Sequence, residues 1–502
     1  MAKVVEMMDP AQEFVAKVAA RMKPLNELTA RGTSDVQQFY NGVNVFLTGG
    51  SGYLGKQLIE KLLRATAVSK IFVLLRSKKG KSVEQRLSEI LEDPLYDLLR
   101  EQQPYFTQRL VLVSGDISEL RLGLNEKDWN TITEQVDVVF HLAATTRFDE
   151  PLRVATMINI RGTRETLALG KACKKLKSFV YVSTAYSHAC IDRIGKDLLE
   201  KFYKSPINPE TMIQMAETMD EARLNDITPE LISNWPNTYT FSKSIAEELA
   251  HTIGNDLPLC VVRPSIVTSS ILEPNPGWVD MSCMYGASGL MVTIGLGIMH
   301  VMYAGNSNIA EFIPIDYVNN AIVIAGWETA RRRATSENKT RIYNVCSTAR
   351  NLATWGYHRN FAEKEARKYP TPMMVAYQFV LHTENPILFW IYSWILHIIP
   401  AYIIDGICIM VGKERRYAKL AKKLYRMSKM LTFFLRNYWK FDDKNTEALY
   451  NSLSKEDRVI FNFDVTNIDW QEYAISWIIG LRNVLRFDDL DLMNRLLSKD
   501  RI

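Results

Sequence analysis

A chain of 502 residues, 47% hydrophobic and 23% charged, has ample material for a packed core and room for two or three domains. Its formal net charge of +5 is too small to demand nucleic acid, and no zinc-finger or basic-arm pattern occurs. The six cysteines (Cys173, Cys190, Cys260, Cys283, Cys346, Cys408) lie far apart without a C-x-x-C, which excludes a disulfide framework and reads as reduced thiols in a cytosol-facing protein.

The opening "MAKVVEMMDPAQEFV" has no signal-peptide apolar region, and residues 1–36 read as a leader. In "VNVFLTGGSGYLGKQLIEKLL", an apolar strand from Val43 to Leu47 precedes Gly49-x-x-Gly52-x-x-Gly55. Leu54, Leu58, Ile59, Leu62 and Leu63 then recur at helical spacing. Strand, glycine turn, helix is the context of a dinucleotide site. Gly49 permits the sharp turn, Gly52 lets backbone approach a pyrophosphate, and Gly55 lets helix pack on strand. The helix start offers free N–H groups to the phosphates.

The second strand, "KIFVLLR", ends in Arg76, and the first acid beyond it is Glu84, past Lys78, Lys79 and Lys81. A cationic strand end suits a ribose 2′-phosphate and so predicts NADPH over NADH. Arg86 either reaches the same phosphate or is a solvated helix charge. "RLVLVSGDI" is a third strand; its Asp116 either accepts from an adenine amino group or caps a turn. "VDVVFHLAA" is a fourth, ending at Ala143-Ala144. "KSFVYVSTAYSH" is a fifth, ending at Ser183-Thr184, and "LCVVRPSIV" a sixth, ending at Pro264-Ser265. Strands alternating with helices predict an α/β, Rossmann-type doubly wound parallel sheet, with ligands at the strand C-termini.

Between the fifth and sixth strands, "NTYTFSKSIAEELAH" sets Tyr239 and Lys243 one helical turn apart, with Ile245, Ala246, Leu249 and Ala250 at helical spacing behind them. Strand-end hydroxyls followed by Tyr-x-x-x-Lys, in this order after the glycine turn, resemble the extended short-chain dehydrogenase/reductase superfamily over roughly residues 41–320. The blocks "TGGSGYLG", "FHLAATTRFDEPL", "VYVSTAYS", "WPNTYTFSKSIAEELA", "VVRPSIV" and "EPNPGWVD", with the later "VTNIDWQEYAISWIIGLRNVL", are similar to the alcohol-forming fatty acyl-CoA reductases over about residues 37–485.

That resemblance implies NADPH-dependent reduction of a long-chain fatty acyl-CoA to an alcohol by two hydride transfers through an aldehyde. Each transfer leaves negative charge on oxygen, which needs a donor. Tyr239 is the expected acid. Lys243 is expected to lower the Tyr239 pKa and, by the resemblance, to hold the nicotinamide ribose. Thr184 is the expected second donor to the carbonyl, with Ser183 as alternate. The resemblance puts Tyr53 and Leu54 at the helix start, Ile117 beside Asp116, Ala143 and Pro264 in the cofactor-binding set. No cysteine sits in a nucleophile setting and no metal site is read. Two departures stand out: His188 where relatives tend to have Asn, and "MSCMYGASG" after "PGWVD" where they commonly have Asn and a Gly-Pro-x-Gly turn.

The reductase domain is placed at 37–355, a smaller, mainly helical domain at 356–485, and a polar tail at 486–502. "NFAEKEARKYPTPMM" reads as a polar connector. The apolar segment 387–411 is interrupted at Pro400 and Asp405, so it reads as a re-entrant hairpin, an interfacial helix pair or a buried core helix of a substrate-binding domain, with a membrane span and a lining of the acyl site both left open. "KERRYAKLAKKLYRMSKM" after it suits an anionic cytosolic leaflet. Relatives carry a hydrophobic tail beyond the position of Leu485 that is expected to be lacking here. The expected setting is a membrane surface with the catalytic domain in the cytosol, at the endoplasmic reticulum or peroxisome, with a homo-oligomer admitted. The competing readings are an extended reductase of another lipid, sterol or nucleotide-sugar carbonyl, an aldehyde-forming acyl-CoA reductase, and a lipid-binding protein without turnover.

Overall fold

Seven short runs, rich in Val, Ile, Leu and Phe, pair side by side in the computed structural model, which describes residues 10–78, 80–280, 286–366, 368–369 and 374–484. They are β1 (Asn44–Thr48), β2 (Lys70–Leu75), β3 (Leu110–Ser114), β4 (Val138–His141), β5 (Ser178–Val182), β6 (Leu259–Pro264) and β7 (Arg341–Val345). All pairings are parallel, in the order β3-β2-β1-β4-β5-β6-β7. The strand order reverses between β1 and β4, which opens a crevice at their C-terminal ends. The seventh strand, "RIYNV", is an addition to the six expected from sequence.

Successive residues on each strand enter opposite layers, as the two-residue repeat requires. Val45, Leu47, Val73, Phe140, Val180 and Val262 face one core, and Phe46, Phe72, Val139, Phe179 and Val261 the other. Helices cover both faces, so both are apolar.

Eight helices matter below: α1 (Pro10–Arg31), α2 (Tyr53–Ala65), α3 (Thr238–Thr252), α4 (Ile315–Ala334), α5 (Trp355–Ala366), α6 (Pro386–Met410), α7 (Tyr417–Arg436) and α8 (Trp470–Val484). Much of the expected polar connector is the helix α5. Pro400 and Asp405 do not interrupt α6, because a wide turn at Trp394–Ile398 loosens the ladder just where Pro400 follows.

The expected boundaries at 36 and 355 do not separate cores. Val36 and Tyr40 share a cluster with Val323, Phe461, Tyr473 and Trp477. On α8, the Tyr473 hydroxyl donates to the Ser269 carbonyl at 2.9 Å, and a Cβ on Gly480 would lie 1.9 Å from the Gly277 carbonyl oxygen. Lys61 on α2 donates to the Ile460 carbonyl at 2.6 Å. The helical region therefore completes the hydrophobic layer under the sheet. The tail 486–502 and the start of "MSCMYGASG", residues 281–285, lie outside the described residues.

Candidate active site

The glycine turn is built by contact. Gly49 sits at φ +80°, where a side chain is strained, and its Cβ would lie 2.7 Å from the Ala143 nitrogen. A Cβ on Gly55 would lie 2.1 Å from the Gly49 carbonyl oxygen. Gly52 caps α2 without a side-chain hydrogen bond, so backbone alone forms the start of the helix at Tyr53 and Leu54. This cradle fits a pyrophosphate. The Tyr53 ring has its own role: it stacks on Trp278 at 5.2 Å and its hydroxyl donates to the Thr268 carbonyl at 2.9 Å. The Leu54 carbonyl accepts from Asn319 at 3.1 Å.

Beside the turn, Arg76 donates to Asp116 at 2.9 Å. Arg86 donates to the Arg76 carbonyl and reaches the Ser51 hydroxyl at 3.4 Å. Burial and then the charge of Arg76 hold the Arg86 pKa below its ordinary value. Two neighbouring guanidiniums beside a serine fit a phosphate dianion. Asp116 has both oxygens engaged, one by Arg76 and the other by the Ser118 N–H and hydroxyl; in this structure it organises the turn. Ile117 packs against Gly162, whose Cβ would lie 2.7 Å from it.

Helix α3 carries Tyr239 and Lys243. Asn237 caps it, its side chain accepting from the Thr240 N–H at 2.9 Å, which starts the helix one residue before Tyr239. Tyr239 is half-buried at the C-terminal end of β5. Burial pushes its phenol up to about 12, and a hydrogen bond with the Thr184 side chain works against that rise. The expectation that Lys243 lowers this pKa is not met. The Lys243 ammonium turns onto the Val182 carbonyl at 2.9 Å, above the Tyr181 ring, and burial pushes its own pKa down to about 7, against the pull of Glu247.

The two hydroxyls separate clearly. Thr184 faces Tyr239, with a long 3.4 Å contact to the Pro264 carbonyl. Ser183 faces away, its hydroxyl donating to Glu247 at 2.5 Å, so the alternate donor is committed elsewhere. Ser187 donates to the same carboxylate at 2.8 Å, and Arg263 grips it through two nitrogens. Burial alone would raise the Glu247 pKa, but Arg263 and then His188 hold it well below the usual carboxylate range. His188 lies 3.3 Å from Glu247 and against the Tyr203 ring, and burial holds its pKa below the ordinary value, so it packs with this support. Glu247 and Arg263 escaped the sequence reading, although Glu247 stands one turn beyond Lys243 on the same helix face.

The open side of the cleft is aromatic. Phe148 stacks near Tyr239 with centroids 6.1 Å apart, and Phe434 from the end of α7 meets Phe148 at 5.4 Å and Tyr186 at 5.2 Å. Nothing in the sequence pattern joins Phe434 to Tyr239, nearly 200 residues away. Burial raises the thiol pKa values of Cys173, Cys190, Cys260 and Cys346, which makes them poor nucleophiles. No group of metal-ligating side chains occurs among the described residues.

Comparison with known proteins adds sequence to this geometry. An NAD-binding family model described as male sterility protein matches residues 47–322, and the Sterile model of the same description matches residues 396–486. Fatty acyl-CoA reductase wat of Drosophila melanogaster is 35% identical over 456 residues, covering 91% of this chain and 86% of its own length. Fatty acyl-CoA reductase 1 of Homo sapiens is 34% identical over 91% of this chain and 87% of its own. Among solved structures, the reductase domain of a nonribosomal peptide synthetase from Mycobacterium tuberculosis superposes with a TM-score of 0.57 at 18% identity, over 97% of this chain and 99% of that one. The terminal R domain of the myxalamid pathway superposes with a TM-score of 0.56 at 20% identity, over 92% and 98%. Sequence likeness of that extent, on a sheet whose crevice already carries a nicotinamide-dinucleotide cradle, makes this chain an oxidoreductase of the fatty acyl-CoA reductase family.

Proposed function

We propose that the protein reduces the thioester of a long-chain fatty acyl-CoA to the primary alcohol, with NADPH as reductant and release of CoA. The observation that carries this reading is the Tyr239 phenol facing Thr184, with Phe148 stacked near its ring and Phe434 against Phe148, beside the cofactor crevice.

When bound, NADPH would supply one hydride, so the two steps consume two molecules in turn. The glycine turn at Gly49, Gly52 and Gly55 would hold its pyrophosphate, and Arg76 and Arg86 its 2′-phosphate. Thr184 and Tyr239 would donate hydrogen bonds to the thioester oxygen, where charge develops. A phenol held near 12 keeps its proton at neutral pH and still yields it to an alkoxide, a stronger base. The first reduction leaves a hemithioacetal, which collapses to aldehyde and thiol. The aldehyde meets the same two donors in the second reduction, and Tyr239 protonates the resulting alkoxide. The high-pKa thiols at Cys173, Cys190, Cys260 and Cys346 suit direct hydride attack on the thioester, without an acyl-enzyme. The reading includes attachment to a membrane facing the cytosol, at the endoplasmic reticulum or peroxisome, supported by the exposed apolar side chains of α6.

The test is purified protein with NADPH and acyl-CoAs of graded length, with products identified by mass spectrometry. Fatty alcohol is the expected product. Aldehyde alone would remove the second step, and no product from any acyl-CoA would overturn the reading.

A further inference from the structure

Helix α6 is amphipathic the wrong way round. Its buried positions are Phe389, Ser393, His397, Ile398, Ala401 and Asp405, so its polar side chains point into the protein. His397 accepts from the His300 backbone N–H at 2.8 Å. Asp405 accepts from the backbone N–H groups of Arg416, Tyr417 and Ala418 at 2.9–3.0 Å, which caps α7. The outer face is Ile387, Trp390, Ile395, Ile399, Ile403 and Ile407, between 46% and 66% exposed. The four-residue step of the inner face matches the wide turn at Trp394–Ile398, which keeps both stripes in line.

The same helix is held by protein along its length. Phe389 stacks on Tyr303 at 5.2 Å and on Tyr425 of α7 at 5.5 Å, and Ile398 and Ala401 pack on Ala421 of α7. A membrane-spanning pose would carry that inner face, with the basic helix crossing it, into hydrocarbon. Between Lys413 and Arg436 stand nine Lys or Arg and one acid, Glu414. Lys422 lies over the exposed ring of Tyr402 at 5.5 Å, so cation and apolar stripe meet at one surface. Tryptophan, tyrosine and lysine around an isoleucine stripe are the composition of an element seated at the headgroup level.

We propose that α6 and α7 form a docking hairpin for an anionic lipid bilayer, with α6 lying in the membrane plane, its isoleucine stripe in the acyl region and the α7 cations on lipid phosphates. The proposal deepens the functional reading above by naming how the enzyme meets its membrane. Helix α7 runs from the docked face to Phe434, which meets Phe148, and Phe148 in turn stacks near Tyr239. An acyl chain drawn from the docked surface would meet the aromatic wall of the catalytic cleft without crossing the sheet.

The test uses the full chain and vesicles of phosphatidylcholine with or without phosphatidylserine, in a flotation assay that needs no turnover. Binding to the anionic vesicles at least tenfold tighter than to neutral ones, and a further tenfold or greater loss in Ile395→Glu/Ile403→Glu with an unchanged circular dichroism spectrum, are expected. Depth is then read from spin labels on Ile387→Cys, Ile395→Cys and Ile403→Cys in a Cys408→Ser background. Three equal, shallow depths are the expected result, and a graded series would replace docking by spanning. No binding to either vesicle overturns the proposal. So does a soluble dimer that Ile395→Glu/Ile403→Glu dissociates, since a second copy would then cover the stripe. If vesicles bind as expected but no acyl-CoA is reduced, the docking stands and the catalytic reading falls.

Discussion

The support around Glu247 and the α6–α7 hairpin handle polarity in opposite ways. At the C-terminal ends of β5 and β6, a carboxylate, a guanidinium and two serines are buried together, and each finds a hydrogen-bond partner within the cluster. On α6 the few polar groups are also turned inward, while large apolar ones are left outside. In water, only the first arrangement has an internal reason. Buried charges persist because they are paired and hydrogen-bonded, whereas an outward isoleucine stripe gains nothing until something apolar covers it. The contrast separates a region folded for its own site from one folded for a neighbour.

The largest expected effect tests what the paired region supports. Tyr239→Phe removes only the proton donor, so turnover should fall by about 10²–10⁴, the usual scale of general acid catalysis, while NADPH affinity by fluorescence titration stays within about twofold of wild type, well under the ~1.4 kcal/mol of a tenfold change. Retained turnover would move the acid elsewhere.

Next is the pairing itself. Glu247→Ala strands Arg263 in a buried site, a change that typically costs about 3–5 kcal/mol, and should show as a large drop in the urea midpoint. A midpoint shift worth under about 1 kcal/mol, the scale of an exposed ion pair, would mean that Glu247 is no better paired than a surface group.

At the exposed rim of the same region, Arg76→Ala should weaken NADPH by roughly ten- to a hundredfold, on ~1.5–3 kcal/mol for a charged hydrogen bond, and leave NADH nearly unchanged. Equal loss for both cofactors would make Arg76 a partner of Asp116 alone.

Lys243 gives a pH test with two opposite signs. Folded, it releases its proton near 7; unfolded, near about 10.4. Between these values the unfolded chain binds more protons, so stability should rise with pH across that window. The ammonium that would hold the cofactor ribose is lost over the same range. The kcat/KM for NADPH, which reports the free enzyme, should therefore fall up to about tenfold per pH unit above 7. A profile flat from pH 6 to 8.5 would show that Lys243 stays charged.

The smallest effects sharpen the hairpin side. Asp405→Ala removes the cap of α7 and should cost about 1 kcal/mol. Ile403→Glu, only two residues away but on the outer face, should change stability in water by under about 0.5 kcal/mol. Equal costs in thermal unfolding would mean that the two faces of α6 are not distinct.

Much of this architecture is legible in the chain. Six of the seven strands, the glycine turn and the Tyr-x-x-x-Lys helix follow from local repeats, because a two-residue or a 3.6-residue period is written in consecutive side chains. Gly49 and Gly55 were legible because only glycine satisfies a positive φ and a helix seated on a turn. The strand "RIYNV" was not, since five residues without a repeat carry little signal. The partner of Ser183 was not legible either: which of two adjacent hydroxyls faces Tyr239 depends on a carboxylate 64 positions away.

Sequence alone determined the fold class, the glycine turn of the cofactor crevice and the helix that carries Tyr239 and Lys243, all features whose parts are neighbours along the chain. Only the tertiary structure decided which way the side chains work: Thr184 toward the cleft, Lys243 onto a strand carbonyl, Phe434 against Phe148 and the stripe of α6 toward solvent. Each is a choice between faces or partners that the local repeat leaves equivalent. The choice is settled by which distant groups fill the remaining volume and which charges must be paired when water is gone.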